Sequence, residues 1–139
     1  MNEARIKQII AETARETAKT TVLQLKAAGI LQDGGKTAYE KTETLLRQYT
    51  ELSKVDQPYA RRVVQEIDDC LAGVSDDPYA DVIRLYYFGG LTNEACADML
   101  CCDERTCRRN RKKLVQAFST RLASDDFIRE LLLEGGKHD

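Results

Sequence analysis

The sequence is poor in the residues that mark several other classes of protein. Its 139 residues include no tryptophan, two prolines and one histidine, His138. Ala, Leu, Glu, Lys and Arg are abundant, and no segment alternates β-branched with polar residues, so the composition predicts an all-α protein. The chain has no long apolar run, and its first residues, MNEARIKQ, lack the layout of a signal peptide. We therefore expect a soluble, cytoplasmic protein with no membrane partner.

Patterns that support catalysis or metal binding are also missing. We find no phosphate-cradling glycine-rich loop, no HExxH and no GxSxG, and a cysteine nucleophile would lack a suitable base. The spacing CxxxxCCxxxxC, from Cys96 to Cys107, lacks the CxxC pairs that bring two thiolates to one zinc ion. We expect no enzymatic activity, no metal and no cofactor. Cys96, Cys102 and Cys107 are interpreted as small, reduced core residues.

Charge is concentrated in one short segment. Residues 1–75 carry 11 Lys or Arg and 11 Asp or Glu, and residues 76–139 carry 10 and 12. Six cationic side chains nevertheless occupy the nine positions from Arg105 to Lys113. Because the net charge of the chain is −2, this segment would attract a polyanion to one face while the rest of the surface repels it.

The segment that contains these cations has the spacing of a helix-turn-helix. From Leu91 to Leu114 it reads LTNEACADMLCCDERTCRRNRKKL. Thr92 and Asp103 are the expected N-caps of its two helices, with the Asp103 carboxylate accepting from the amide of residue 105 or 106. The predicted apolar face of the first helix consists of Ala95, Cys96, Met99 and Leu100.

Helical periodicity predicts five further helices, spanning about 3–28, 37–53, 58–72, 78–88 and 125–133, while the second helix of the motif continues to about 122. Their expected core residues are Tyr39, Leu45, Leu46, Tyr49, Leu52, Val63, Val64, Ile67, Leu71, Val82, Ile83, Tyr86 and Tyr87. The breaker Asp33-Gly34-Gly35 separates an N-terminal helical arm, 1–35, from a helical hairpin region, 36–75. Residues 76–139 form the predicted helix-turn-helix domain.

Two segments resemble known families. The stretch LYYFGGLTNEACADMLCCDERTCRRNRKKL is similar to the fourth region of sigma-70-type factors and to the sigma-like regulators of phages of Gram-positive bacteria. The matching positions are Tyr86, Tyr87, Gly90, Leu91, Thr92, Glu94, Cys96, Ala97, Leu100, Asp103, Thr106 and Cys107. The chain departs from the pattern with cysteines in place of aliphatics and with Cys101 where a turn glycine is common. The segment KTAYEKTETLLRQYTEL resembles the helix before the helix-turn-helix in the ArpU family of phage late-gene regulators.

The resemblance implies an all-α fold in which a helical N-terminal region precedes a sigma-region-4-like helix-turn-helix that binds double-stranded DNA. With the second helix in the major groove, the expected base contacts are Glu104, Arg105, Arg108 and Arg109. The expected phosphate contacts are the side chains of Arg111, Lys112 and Lys113 and the backbone amides of Thr92 and Asn93. The alternative is a solvated face in which Glu104 with Arg108, or Asp103 with Lys112, tunes stability.

Three functions stay open at this point. The first is a sequence-specific phage late-gene regulator in a bacterial cell, encoded by a phage or prophage, that contacts RNA polymerase and dimerises through its N-terminal helices. The second is a complete sigma factor, which is disfavoured because the N-terminal half has no aromatic-rich, basic helix of the kind that melts promoter DNA. The third is a packaging adaptor similar to a small terminase subunit, or an architectural DNA-binding protein.

Overall fold

The computed structural model describes residues 3–11 and 35–135, and within these ranges the chain forms helices and no strand. The prediction of an all-α fold is confirmed. The first helix, α1, spans 3–11, whereas the rest of the predicted helix to residue 28 lies outside the described residues. No helix in the described ranges is long and apolar enough to cross a membrane.

The helices α2, Ala38–Leu52, and α3, Pro58–Gly73, begin where local sequence signals place them. The hydroxyl of Thr37 accepts from the amide of Glu40 at 3.1 Å, and the Glu40 carboxylate accepts from the amide of Thr37 at 3.3 Å. This reciprocal capping box starts α2, and Pro58 occupies the first turn of α3. The predicted aliphatic residues of both helices are buried, except Val64, which is partly buried like Tyr39 and Tyr49.

The fourth predicted helix takes a different form. A turn at 78–80 leads into the short helix α4, Asp81–Ile83, which passes into a π-helical turn, Arg84–Phe88, called the π segment below. The amide of Gly89 donates to the carbonyl of Arg84 at 2.8 Å, five residues back, as a π-helix requires. Gly90 then adopts a φ of 70°, which glycine reaches without a steric penalty. The predicted stop at this glycine pair is confirmed.

The last three helices are α5, Asn93–Met99, α6, Glu104–Leu122, and α7, Asp125–Gly135. Both predicted caps are present, since the Thr92 hydroxyl accepts from the Ala95 amide at 3.1 Å and the Asp103 carboxylate accepts from the Thr106 amide at 3.4 Å. Hydrogen bonds from the side chain and from the amide of Thr106 favour the charged carboxylate and lower the pKa of Asp103 below its usual value.

The predicted apolar face of α5 is only partly correct. Cys96 and Ala97 are the buried residues of this helix, whereas Met99 is 63% exposed. Met99 is the last residue of α5 and lies outside the hydrophobic core, whereas the next residue, Leu100, packs against that core.

The turn between α5 and α6 is closed by two backbone hydrogen bonds. The amide of Cys102 donates to the carbonyl of Ala97 at 3.1 Å, and the amide of Cys101 donates to the carbonyl of Asp98 at 3.3 Å. This is the pattern of a Schellman motif, in which the residue at the position of Cys101 is usually glycine. Cys101 indeed has a φ of 55°, in the left-handed region. The tight turn therefore forms with a residue that adopts its geometry at a cost.

We expect Cys101→Gly to stabilise the protein by about 0.5–1 kcal/mol. Glycine avoids the roughly 1–2 kcal/mol that a Cβ costs in this conformation, partly offset by the greater freedom of glycine in the unfolded chain. The free energy of unfolding in urea measures the effect. Cys101→Ala is the matched control because it removes the thiol and keeps the Cβ, and equal stabilisation by alanine would contradict the backbone explanation.

Helices α2 to α7 share one hydrophobic core, which extends in sequence from Leu45 to Leu131. Helix α6 lies at its centre and packs against α2, α3, α4, α5 and α7. The core thus contains residues from both sides of the predicted boundary between 75 and 76. An ion pair joins two of these helices, because the buried carboxylate of Glu66 in α3 accepts from Arg121 of α6 at 2.8 Å. The same carboxylate accepts from Arg62, one turn earlier in α3, also at 2.8 Å. Packing and the ion pair with Arg121 thus hold α6 in the domain.

Candidate nucleic-acid interface

Helix α6 is amphipathic, and the N-terminal half of its outer face is cationic. Arg105, Arg109, Lys112 and Gln116 follow one another at intervals of four, three and four residues, so they lie on one side of the helix. All four are exposed, as is Lys113 beside them. The opposite side is buried and consists of Cys107, Arg111, Leu114, Val115, Phe118 and Leu122. We call Arg105, Arg109, Lys112 and Lys113 the basic face.

The charges of the basic face are largely uncompensated by neighbouring groups. Arg105, Lys112 and Lys113 form no ion pair with any residue in the described ranges. Arg109 lies close enough to the cap Asp103 to contribute to its lowered pKa. A row of exposed cations on a rigid helix produces a local positive potential, which attracts a polyanion.

Two predicted base contacts are paired with each other. The guanidinium of Arg108 donates to the carboxylate of Glu104 at 2.6 Å, one turn away, and both side chains stay exposed. The alternative interpretation expects this pair, which stabilises the helix. The hydrogen bond between the two side chains would have to break before either could reach a base. The other expected pair, Asp103 with Lys112, does not form among the described residues, since the two lie about two and a half turns apart along α6.

The structure corrects one predicted phosphate contact, Arg111, which is only 5% exposed. Its guanidinium donates to the hydroxyl of Tyr87 at 3.0 Å and to the side-chain oxygen of Asn93 at 3.4 Å. Its Cζ also lies 4.0 Å from the centre of the Tyr86 ring, a cation–π distance. Arg111 points inward because it falls on the buried side of α6, four residues after Cys107. That spacing was a signal in the sequence, but the run of cations around Arg111 concealed it.

Sequence reasoning also missed Glu43 of α2, which is the anionic partner of this buried arginine. Its carboxylate accepts from the hydroxyl of Tyr87 at 2.7 Å, and the same oxygen lies 3.6 Å from Nη1 of Arg111 and 3.5 Å from Nη2 of Arg47. Burial, together with this hydrogen bond, raises the pKa of Tyr87. The network joins α2, the π segment, α5 and α6, and no local pattern relates residues so far apart in the chain.

The Arg111 guanidinium stays charged in this network. Desolvation alone would lower its pKa, but the hydrogen bond to Tyr87 and the nearby phenol groups outweigh desolvation, so that the pKa is raised. Tyr86 and Tyr87 meet edge to face, with ring centres 4.9 Å apart, beside the guanidinium. The prediction that this tyrosine pair belongs to the core is confirmed for Tyr87, which is buried, while Tyr86 is partly buried.

Thr92 and Asn93 stand at the start of α5. The Thr92 side chain is exposed and caps the helix, and the half-buried Asn93 side chain accepts from Arg111. The Thr92 side chain thus starts α5, and the Asn93 side chain links α5 to α6. The proposed contact between their backbone amides and a phosphate stays a prediction.

The cysteines around α5 and α6 behave as packing residues. Cys96 and Cys107 are fully buried and Cys102 is partly buried, so the core interpretation is confirmed for the first two and holds in part for the third. Burial raises the pKa of the Cys107 thiol to about 11, and that of Cys70 also to about 11. In the part of the chain that the structure describes, no three His, Cys, Asp or Glu side chains could hold a metal ion.

The predicted contacts therefore fall into two groups. Glu104, Arg105, Arg108, Arg109, Lys112 and Lys113 are exposed on α6, while Thr92, Asn93 and Arg111 lie at the junction of α5 with α6. Comparison of the chain with protein-family models, curated proteins and solved structures found no match. The assignment of a function depends on the geometry and charge of these helices.

Proposed function

We propose that this protein is a sequence-specific DNA-binding transcriptional regulator of the phage late-gene, sigma-like type. The observation that carries the proposal is the basic face of α6, exposed and largely unpaired on a helix that follows a short helix and a tight turn. A helix presented in this way is the usual means by which a helix-turn-helix protein enters the major groove. On this proposal the protein acts by binding and not by catalysis.

The basic face divides by position into two roles. Arg105 and Arg109 lie in the first two turns of α6, where a recognition helix meets base edges, and an arginine can bind guanine through two hydrogen bonds. Lys112 and Lys113 lie one turn further along, and as flexible point charges they suit phosphate oxygens. Arg108 and Glu104 can add base contacts if the hydrogen bond between them breaks.

The proposed regulator contacts RNA polymerase and binds its operator as a homodimer in the bacterial cytoplasm. We assign dimerisation to the N-terminal helices because Ile6 and Ile10, four residues apart on α1, are both exposed. Symmetric dimers commonly read operators of this kind. Removal of residues 1–29 should convert the dimer into a monomer in solution, and a truncated protein that still has the mass of a dimer would contradict dimerisation through these helices.

Selection of bound fragments from random and phage-genome DNA pools tests the function directly. Enrichment of one sequence motif, with a marked loss of affinity at higher salt, is the expected result. Salt-sensitive binding without sequence preference, together with a ring-shaped assembly in light scattering, would instead favour a packaging adaptor. Absence of binding to every pool would exclude both functions.

A further inference from the structure

An open cleft of about 500 Å³ lies between α2 and the start of α5. Its walls combine three separate parts of the chain: Arg47 from α2, Tyr86 and Tyr87 from the π segment, and Leu91, Thr92 and Asn93 around the start of α5. Arg47 is the one charged residue among those that line the cleft, and the polar groups beside it include hydroxyls and a side-chain amide. Such a lining favours an anion with several acceptor oxygens.

The positive charge of Arg47 is only partly neutralised by the acidic group near it. The Glu43 carboxylate is the anion nearest to Arg47, at 3.5 Å, but it also faces the buried guanidinium of Arg111 and accepts from Tyr87. The single negative charge of Glu43 thus faces the two positive charges of Arg47 and Arg111, so this group of three side chains has a net charge of +1. The Arg47 side chain is 54% exposed, so that excess charge faces solvent.

Two contacts orient the Arg47 side chain although it is exposed. Its Cζ lies 5.5 Å from the centre of the Tyr87 ring, and its Nη2 lies 3.5 Å from the Glu43 carboxylate. Asn93 lines the cleft and also accepts from Arg111 on the buried side of α6. Thr92 and Asn93, whose backbone amides are the predicted phosphate contacts at the start of α5, thus line the same cleft as Arg47.

We propose that Arg47 binds a backbone phosphate of the same duplex that α6 contacts, so that the DNA is held from α2 as well as from α6. The inference rests on the proposed function. A phosphate supplies the anionic charge and the acceptor oxygens that the cleft lining favours, and a guanidinium can bind it through two parallel hydrogen bonds. A contact of this kind positions the protein on DNA and carries no sequence information.

The test is DNA affinity as a function of salt for the full-length protein and Arg47→Gln, with the sequence enriched by selection and with an unrelated duplex. We expect the variant to bind both DNAs about 5- to 10-fold more weakly at 0.1 M salt, the loss expected from one counterion-releasing contact. The slope of log affinity against log salt should become shallower by about 0.9. Arg47→Lys should retain most of the slope, because it keeps the charge.

Arg84→Gln is the matched control, since Arg84 has the same 54% side-chain exposure and an ion pair with Asp81 at 3.7 Å, but does not line the cleft. Equal salt slopes for Arg47→Gln and Arg84→Gln would overturn the inference while leaving the proposed function intact, and would point to an acidic protein segment as the occupant. Loss of affinity confined to the selected sequence would also overturn it. If the unaltered protein binds no DNA, the proposed function itself fails.

Discussion

Replacement of both Arg105 and Arg109 by glutamate should weaken binding to the selected DNA about 1000-fold or more at 0.1 M salt. The double change removes two cations from the basic face and adds two anions, and each unit of charge is worth nearly tenfold in affinity through counterion release. Any hydrogen bonds from the two arginines to guanine would be lost as well. Since both side chains are exposed, the fold should be unaffected. Fluorescence anisotropy with labelled DNA measures the loss.

The control for this experiment is Arg61→Glu with Arg129→Glu, which makes the same change in net charge at exposed positions on α3 and α7. We expect this control to weaken binding much less, because screening at 0.1 M salt limits the reach of a surface charge to about 10 Å. If the two double variants lose affinity equally, overall charge and not the basic face governs binding.

Arg111→Met should lower the free energy of unfolding by about 3 kcal/mol. This loss is larger than expected for a surface cation, although Arg111 belongs to the run of six cations from Arg105 to Lys113. The change deprives Glu43 of a buried partner and leaves the side-chain oxygen of Asn93 without its donor. A phosphate-binding arginine on the surface would give the opposite pattern, a loss of DNA affinity with stability unchanged. Urea unfolding followed by circular dichroism measures the effect.

Lys112→Met is the matched control for Arg111→Met, because it removes the neighbouring cation from an exposed position. It should change stability by less than about 0.5 kcal/mol. A second check combines Arg111→Met with Glu43→Gln. The double variant should lose less stability than the sum of the losses of the two single variants, because no carboxylate charge is then left without its partner. Strict additivity would contradict the proposed coupling between these side chains.

The parts of the fold that the sequence predicts well are those specified by neighbouring residues. Thr37, Thr92 and Asp103 each cap a helix through a hydrogen bond to an amide three residues ahead, and Pro58 fits only the first turn of α3. The exposed face of α6 follows from the same short-range geometry, because its buried side repeats every three or four residues.

The π segment and the exposure of Met99 could not be predicted in this way. A π-helical turn has nearly the same local composition as an α-helical one, and the π segment packs against α2, which is distant from it in the sequence, and against α5, which is separate from it in the sequence pattern. Met99 has the spacing of a core residue, but it is exposed and lies outside the hydrophobic core. Periodicity identifies which residues share a side of a helix and cannot identify which of them another element covers.

By itself, the sequence determined an all-α protein, the start of each described helix from α2 onward except α4, and a concentration of cations on α6. Only the tertiary structure decided which side chains the buried Arg111 contacts and that Glu43 is its anionic partner. The reason is distance along the chain: Tyr87 is 24 residues from Arg111, and Glu43 is 44 residues from Tyr87. These side chains meet only when α2, the π segment and α6 pack together, and that packing removes Arg111 from the surface and orders Arg47 beside it.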